Sequence, residues 1–182
     1  MFNIYIDADS LPKSHRAIIL KRVVKESECI GECVFACDRM LSDVKEAQEN
    51  HTAALRLPFR DMLDKLELRK IKTNIKMVVV PVGSNSADDY LVENAAIPGF
   101  AITHDVPLSN RLVEKGIVVL DDRGGIYTSN NIKERLSDRN FMTALREMGF
   151  ESEKNKSFDQ RTINEFASSL DTIINKYKKE FC

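Results

Sequence analysis

The sequence predicts an α/β fold: a three-layer sandwich with a central, mainly parallel sheet, a helical insertion and C-terminal helices. Short apolar runs alternate with amphipathic stretches along the chain, and several runs end directly in an acidic residue. Strands and helices that alternate at short intervals require a parallel sheet with right-handed crossovers. Because parallel strands share one carboxyl edge, we expect the acids that follow the runs to lie on that edge.

The first strand is predicted to end in two carboxylates, Asp7 and Asp9. Apolar and polar residues alternate over residues 2–7, a run too short for a helix. Ser10 offers an N-cap oxygen and Pro12 suits a first turn, so a helix should follow at once. Two acids this close repel each other unless a cation or hydrogen-bond donors offset their charge. The pair therefore indicates either a site for Mg²⁺ or Mn²⁺, or a helix cap beside a solvated strand end.

Two later strands deliver further acids to the same edge. The apolar run at residues 77–82 is typical of a strand buried on both faces, and Asp88 follows it near the start of a helix. The strand predicted at residues 100–103 is followed by His104, which we interpret as an exposed loop residue, and by Asp105. One acid at a strand end means little, whereas the convergence of several favours a metal site. The predicted cleft contains four carboxylates, each a candidate metal ligand and catalytic group: Asp7, Asp9, Asp88 and Asp105.

The remaining runs predict helices over residues 11–25, 42–57, 59–69, 108–115, 132–136 and 141–148, strands over 32–37 and 117–120, and a last helix capped at 157–160. Residues 38–72 are charged, favour helices and are broken by Pro58, so we predict a helical insertion that packs at the margin of the sheet and adds no strand. The predicted α/β domain covers residues 1–150. Residues 151–182 are predicted to be a linker and a C-terminal helix that packs on the same domain.

Basic residues cluster in two places. Residues 11–25 contain lysines and arginines but no Asp or Glu. In the second cluster, two acids are outnumbered by Arg123, Lys133, Arg135, Arg139 and Arg146. Most charge runs are solvated helix faces, but a basic helix that begins at an acidic pair can also hold a polyanion. The candidate phosphate or nucleic-acid contacts are Lys13, Arg16, Asn85, Thr103 and Arg123.

Length and charge bound the class of protein. At 182 residues the chain is long enough for one domain with a substantial core. The formal net charge of -1 excludes a globally basic nucleic-acid coat protein, though not a local basic patch. Acids interrupt the apolar start and no run approaches the roughly 20 apolar residues of a membrane span, so we expect a cytoplasmic protein without a signal peptide.

The four cysteines are Cys29, Cys33, Cys37 and Cys182. Structural zinc sites favour closer pairs and a fourth ligand nearby, which this spacing does not provide. Cys33 and Cys37 alternate along one face of a predicted strand. We therefore predict that the first three are reduced core thiols and that Cys182, at the chain end, is exposed.

Two motifs go beyond hydrophobic patterning. Residues 103–108 resemble the threonine–x–aspartate–x–x–leucine signature of PIN-domain nucleases, and Asp88 with Leu91 and Ala95 resembles an acidic-helix motif of that superfamily. The whole chain resembles the YaiI/YqxD family of uncharacterised bacterial proteins, which is classed as PIN-like. The matching residues are Asp7-Ala8-Asp9 with Pro12, Ala87-Asp88, Ile102-Thr103 with Asp105, Pro107 and Leu108, Arg123-Gly124 with Tyr127-Thr128, Phe141-Met142, and Gln160-Arg161 with Phe166-Ala167.

The resemblance implies a PIN-like fold and, by analogy within the superfamily, metal-dependent cleavage of phosphodiesters. It implies RNA as the substrate, and Mg²⁺ or Mn²⁺ as the cofactor that readies a water and stabilises charge on the phosphate. The residues implied to hold the metal are Asp7, Asp88 and Asp105, with Asp9 as a further ligand or supporting acid. Thr103 and Asn85 would orient water or phosphate oxygens.

The chain departs from the family pattern at two positions. Leu11 stands where the family usually has a cysteine, and Asn85 stands where it usually has an aspartate. Asparagine keeps an oxygen ligand but removes a negative charge, which weakens cation binding. This loss favours an alternative function, a non-catalytic PIN-like module that binds RNA. The insertion at residues 38–72 could cover the site or form the contact of a homodimer.

A second alternative is a phosphohydrolase of the haloacid-dehalogenase type, whose first strand also ends in an aspartate–x–aspartate pair. Asp7 would then be the nucleophile and Asp9 the general acid. Thr103, Lys115 and the pair Asp121-Asp122 fall in the right order. However, the stretch between Lys115 and Asp121 is too short for the usual helix and strand.

Overall fold

The structure is a computed structural model that describes residues 1–81, 86–149 and 159–182. The strands are β1 (Phe2–Asp7), β2 (Ile30–Cys37), β3 (Ile75–Val79), β4 (Gly99–Ile102), β5 (Val118–Leu120) and β6 (Ile126–Tyr127). The α-helices are α1 (Lys13–Lys25), α2 (Ser42–Arg56), α3 (Lys65–Lys70), α4 (Ala87–Asn94), α5 (Val106–Glu114), α6 (Ile132–Glu147) and α7 (Gln160–Phe181). The predicted α/β fold is confirmed.

The strands form one sheet in the order β3-β2-β1-β4-β5-β6. The first five are parallel, and β6 runs antiparallel to β5. The chain builds outward from β1 to β3 and then crosses back to β4 on the other side of β1. In open α/β sheets, ligands bind in the crevice outside the carboxyl ends of the two strands at which the order reverses. Here those strands are β1 and β4.

Helices cover both faces of the sheet. On one face, α1 and α7 bury Ile19 and Phe166 against strand residues that include Ile4 and Phe35. On the other, α4 and α5 bury side chains such as Leu91 against the opposite sides of the same strands. This is the predicted three-layer arrangement, with the C-terminal helix packed on the sheet. The predicted linker at residues 151–157 lies outside the described residues.

Residues 38–72, all of which are described, form helices and no strand, as predicted. They comprise α2, a short 3₁₀ turn at Leu57–Phe59 and α3, and α2 packs beside α1 and the edge strand β3. The single helix predicted over residues 59–69 is wrong in its first half. Asp64 accepts hydrogen bonds from the backbone N–H groups of Leu66 and Glu67, and this capping box starts α3 five residues after the 3₁₀ turn.

Three further local predictions are wrong, and one strand was not predicted. The strand predicted over residues 77–82 is β3, which pairs only with β2 and leaves Val79 43% exposed, so it is an edge strand rather than one buried on both faces. Residue 82 lies outside the described residues. The two helices predicted between residues 132 and 148 are one helix, α6, because the polar stretch between them contains neither proline nor glycine. The two-residue strand β6 is too short to leave a pattern. Ser10 is not the cap of α1, since Pro12 holds the N-cap position.

The cysteines divide into two pairs. Cys33 and Cys37 are buried free thiols, as predicted, and burial raises the pKa of the Cys37 thiol to about 11. Cys182 is exposed, as predicted, but it forms a disulfide with Cys29. The prediction of a reduced core thiol at Cys29 is therefore wrong. The chain end reaches the start of β2 because α7 packs beside α1, a proximity that cysteine spacing cannot reveal.

Candidate functional site

Asp7 lies at the carboxyl end of β1, beside the point where the strand order reverses. Its carboxylate is 5% exposed and accepts a hydrogen bond from the Thr103 hydroxyl (2.6 Å) at the end of β4. The same hydroxyl oxygen accepts a hydrogen bond from the backbone N–H of Asp105 (3.0 Å). Thr103, itself 1% exposed, thus links β1 to β4 and fixes the Asp7 carboxylate. It has little surface left for a phosphate, so we assign it a positioning role.

Asp88 and Asp105 lie at the starts of two helices, α4 and α5, near the carboxyl edge that holds Asp7. Asp88 lies in the first turn of α4, and Asp105 is the N-cap of α5, where its carboxylate accepts from the backbone N–H of Leu108 (2.8 Å). Partial burial raises the pKa of the Asp88 carboxyl, and the negative charges of Asp7 and Asp105 raise it further. The carboxylates of Asp7, Asp88 and Asp105 are therefore close enough for the charges of the first and last to act on Asp88. We call these three residues the carboxylate group.

Asp9 lies on the β2 side of the same edge and is exposed. Its carboxylate accepts a hydrogen bond from the backbone N–H of Asp38 (2.5 Å). Partial burial raises the pKa of Asp9, and the negative charges of Asp38 and Asp7 add to that rise. Sequence reasoning missed Asp38, although it follows β2 just as Asp7 ends β1, and the same rule would have found it.

Arg16 is held inside the fold. Its guanidinium donates to the Asp43 carboxylate (2.8 Å) and to the backbone oxygens of Leu11 (2.7 Å) and Ala8 (3.3 Å). The side chain is 11% exposed. These contacts hold the loop after β1 against α2, and the prediction that Arg16 contacts phosphate stays a prediction.

The other predicted basic and amide contacts differ in placement. Lys13 is exposed at the first residue of α1. Arg123 lies on the turn between β5 and β6 and lines the cleft described next. Asn85 lies outside the described residues.

A cleft of about 580 Å³ opens at the carboxyl edge between the strand ends and α6. Its sheet side carries Asp105, Asp121 and Asp122. Its other wall is one face of α6, formed by Arg135, Asp138, Arg139, Met142, Thr143 and Arg146. Of the four predicted carboxylates, Asp105 alone lines this cleft, and it thereby joins the cleft to the group around Asp7. An acidic floor opposite a basic wall suits a phosphate held beside carboxylates.

His104 stands at the mouth of the cleft with its side chain 54% exposed. Its Nδ1 is 2.8 Å from the Asp122 carboxylate, and this hydrogen bond raises the pKa of the imidazole. Asp122 is 2% exposed, and its backbone oxygen is 2.8 Å from Nε2 of the buried His15. His104 is exposed, as predicted. Its hydrogen bond with Asp122 was not predicted.

Asp121 holds the turn between β5 and β6. Its carboxylate accepts from the backbone N–H groups of Arg123 (2.9 Å) and Gly125 (2.6 Å) and from the Tyr127 hydroxyl (2.6 Å). Burial and the adjacent carboxylate raise the pKa of Tyr127 to about 12. Asp121 is therefore a structural acid that shapes the wall of the cleft.

Tyr127→Phe should lower the free energy of unfolding by about 1.5–3 kcal/mol, because it removes a hydrogen bond to a charged group. Urea denaturation of both proteins measures the difference. Tyr90→Phe is the matched control, since within the described part of the chain the Tyr90 hydroxyl forms no hydrogen bond. Equal losses in the two variants would show that the bond to Asp121 contributes nothing specific.

The phosphohydrolase alternative finds little support in this geometry. Lys115 caps the end of α5, just before β5 begins, so it lies at the amino edge of the sheet, away from Asp7. Its ammonium group donates to the backbone oxygen of Val92. Asp121 is committed to the β5–β6 turn. This chemistry requires a lysine beside the nucleophile, and Lys115 does not lie beside Asp7.

The donor chemistry of the carboxylate group fits a hard divalent cation. Asp7, Asp88 and Asp105 offer oxygen ligands, and a cation would offset their repulsion. Within residues 1–81, 86–149 and 159–182, no three His, Cys, Asp or Glu side chains already converge as a ligand set. Mg²⁺ is commonly held by one or two carboxylates, waters and substrate phosphates rather than by a complete protein cage. The arrangement fits an ion held jointly by the protein and a phosphate.

Comparison with known proteins places the chain in one family. A model described as "Uncharacterized BCR, YaiI/YqxD family" matches residues 36–176. The chain belongs to the YaiI/YqxD family. This confirms the family predicted from the sequence, whereas the PIN-like classification stays a prediction. The match includes Asp88 and Asp105 but begins after Asp7 and Asp9.

Relatives of this YaiI/YqxD chain occur in several bacteria. A UPF0178 protein of Pseudomonas entomophila is 33% identical over 176 residues, which cover 97% of this chain and 98% of the relative. One from Syntrophobacter fumaroxidans is 36% identical over 139 residues, 76% of this chain and 91% of the relative. One from Treponema denticola is 42% identical over 104 residues, 57% and 67% respectively. No solved structure matches the chain. The described residues include no helix long and apolar enough to cross a membrane.

Proposed function

We propose that this YaiI/YqxD protein is a nuclease that depends on Mg²⁺ or Mn²⁺ and hydrolyses phosphodiester bonds in RNA. The observation that carries the proposal is that the charges of Asp7 and Asp105 act on Asp88 near the point where the strand order reverses, beside a cleft walled by arginines. Carboxylates alone would repel a polyanion, and the arginines of α6 offset that repulsion. RNA is chosen over other phosphodiesters because of the resemblance to PIN-domain nucleases.

The chain's own residues have separable roles in this proposal. A divalent ion, when bound, would polarise the phosphate and lower the pKa of a water. Thr103 fixes the Asp7 carboxylate, and the N-cap position of Asp105 directs that residue to both the carboxylate group and the cleft. The arginines of α6 would hold phosphate oxygens, which keeps the reacting group next to the acids.

An RNA-binding module without hydrolysis is the second candidate function. It is favoured by Asn85, which replaces an acid of the family pattern, and by the lack of a ready-made ligand set in the described part of the chain. The same cleft and the same arginines would then bind RNA, and the carboxylates would have no catalytic role.

Asp88→Asn separates the two functions. We expect it to lower Mn²⁺-dependent cleavage of a labelled single-stranded RNA about 10- to 100-fold, as losses around metal sites commonly do. Asp89→Asn is the matched control, because Asp89 is the next residue of α4 and its carboxylate is already paired with Arg111 (2.7 Å). The control should cleave like the wild type, and EDTA should stop both. Binding of RNA without any Mn²⁺-dependent cleavage by the wild type would favour the binding module.

A further inference from the structure

The face of α6 that lines the cleft carries three arginines in one stripe. Arg135, Arg139 and Arg146 stand four and seven residues apart, which places them on the same side of a helix. All three are exposed. Along α6, all of which is described, Ile132 is the one buried residue. The fold therefore uses the start of α6 for packing and leaves the arginine stripe to the cleft.

The arginines of the stripe are not held by ion pairs in the described part of the chain, although the Arg135 side chain also hydrogen-bonds Tyr127. Elsewhere the arginines form ion pairs, as in Arg22 with Asp171 or Arg161 with Glu165. Within the described ranges, no carboxylate forms an ion pair with an arginine of the stripe. Asp138 shares the face, and Asp105, Asp121 and Asp122 lie across the cleft together with Arg123. Three of the four arginines that line the cleft therefore belong to the stripe.

We infer that Arg135, Arg139 and Arg146 bind successive phosphates of one extended polynucleotide strand and so set the minimum length of the substrate. The inference rests on the proposed function for the identity of the polyanion, but not on cleavage. With a rise of about 1.5 Å per residue, the first two arginines stand about 6 Å apart along the helix and the outer two about 16 Å apart. One nucleotide cannot reach across this distance, whereas a strand of several nucleotides can.

The chemistry of the arginine stripe also determines which part of a polynucleotide it recognises. The planar fork of a guanidinium matches phosphate oxygens, and phosphate contacts carry no base sequence. Each phosphate contact with a single strand contributes about -0.7 to the slope of log K against log salt, so three contacts contribute about -2. Binding by the stripe should therefore be independent of sequence, dependent on length and sensitive to salt.

The test measures binding of fluorescent single-stranded RNAs to the full chain in EDTA, by anisotropy at several salt concentrations. For a mixed-sequence 12-nucleotide strand, the triple variant Arg135→Ala, Arg139→Ala, Arg146→Ala should bind at least about 10-fold more weakly, with a salt slope shallower by about 2. The same substitutions to lysine keep the charge and should keep the slope, which separates loss of contacts from loss of the fold. The wild type should bind the 12-mer far more tightly than a mononucleotide, and the alanine variant should lose most of that difference.

The matched control removes the same charge elsewhere. Arg60→Ala, Arg69→Ala, Arg161→Ala replaces three exposed arginines outside the cleft and should leave affinity and slope unchanged. An equal loss in this control, or a wild type that binds a mononucleotide as tightly as the 12-mer, would overturn the inference. Because no divalent ion is present, this result is independent of Asp88→Asn. Length-dependent binding can hold even where cleavage fails, and cleavage can hold where the stripe does not bind.

Discussion

Asp7→Asn is expected to reduce metal-dependent RNA cleavage at least about 100-fold, because changes one step further from a metal already cost about 10- to 100-fold. The substitution removes a charge and one long hydrogen bond, which the other carboxylate oxygen of Asp7 accepts from the Ser10 backbone N–H (3.4 Å). Asparagine has nearly the same shape, and its amide oxygen can still accept the hydrogen bond that the Thr103 hydroxyl now donates to Asp7. Loss of activity would then report the missing charge rather than a displaced side chain.

The measurement compares kcat/KM for a labelled RNA in Mn²⁺ for the wild type, Asp7→Asn and the control Asp89→Asn, whose carboxylate is paired with Arg111. Circular dichroism and thermal melting establish that each protein is folded. Thr103→Val provides a graded test, since it leaves the Asp7 charge but removes the group that fixes it, and it should fall between wild type and Asp7→Asn. Activity of Asp7→Asn within a few fold of the wild type would remove Asp7 from the site.

Much of this site could be predicted from the sequence because each acid can be located from the residues that immediately precede it. Asp7 and Asp105 each follow a short apolar run directly, and parallel strands bring such positions to one edge whatever their separation along the chain. The order of the strands was not needed to group them. It was needed to learn that β1 and β4 are neighbours, which is why the bond between Thr103 and Asp7 could not be predicted.

The contacts that the sequence could not reveal depend on partners distant in the chain. Arg16 was predicted as a phosphate contact from its charge, whereas its ion pair with Asp43 across the α1–α2 contact is visible only in the structure. Cys29 likewise meets Cys182 only because α7 packs beside α1. The arginine stripe was not predicted for a different reason, which concerns the bounds of α6. Dividing α6 into two short helices broke the spacing that places Arg135, Arg139 and Arg146 on one face.

The carboxylate group should also make the metal-free protein sensitive to pH. The folded state raises the pKa of Asp88 above its ordinary value, so between the two values the native chain binds the proton more tightly than the unfolded chain does. Stability contributed by that proton is present below the ordinary pKa and is lost as the pH rises through the raised one. Above the raised pKa, Asp88 is charged and repelled by its neighbours, the condition that a bound cation relieves.

Mn²⁺ should accordingly raise the melting temperature of the wild type near neutral pH. An ion that binds the native state alone stabilises it by about 2.7 kcal/mol at a hundredfold excess over Kd. For a domain of this size that corresponds to a rise of about 5–10 °C. Asp7→Asn should lose most of the rise while its metal-free form melts no lower than the wild type, because the variant lacks one of the repelling charges.

Thermal melts of the two proteins and of Asp89→Asn, each with EDTA and with millimolar Mn²⁺, decide this prediction. Asp89→Asn should keep the full rise, since Asp89 pairs with Arg111 outside the carboxylate group. If Asp7 served only to hold Thr103 and bound no metal, Mn²⁺ would not change the melting temperature of either protein. Absence of any Mn²⁺-dependent rise in the wild type would remove the metal site, and the cleft would then be assigned to RNA binding alone.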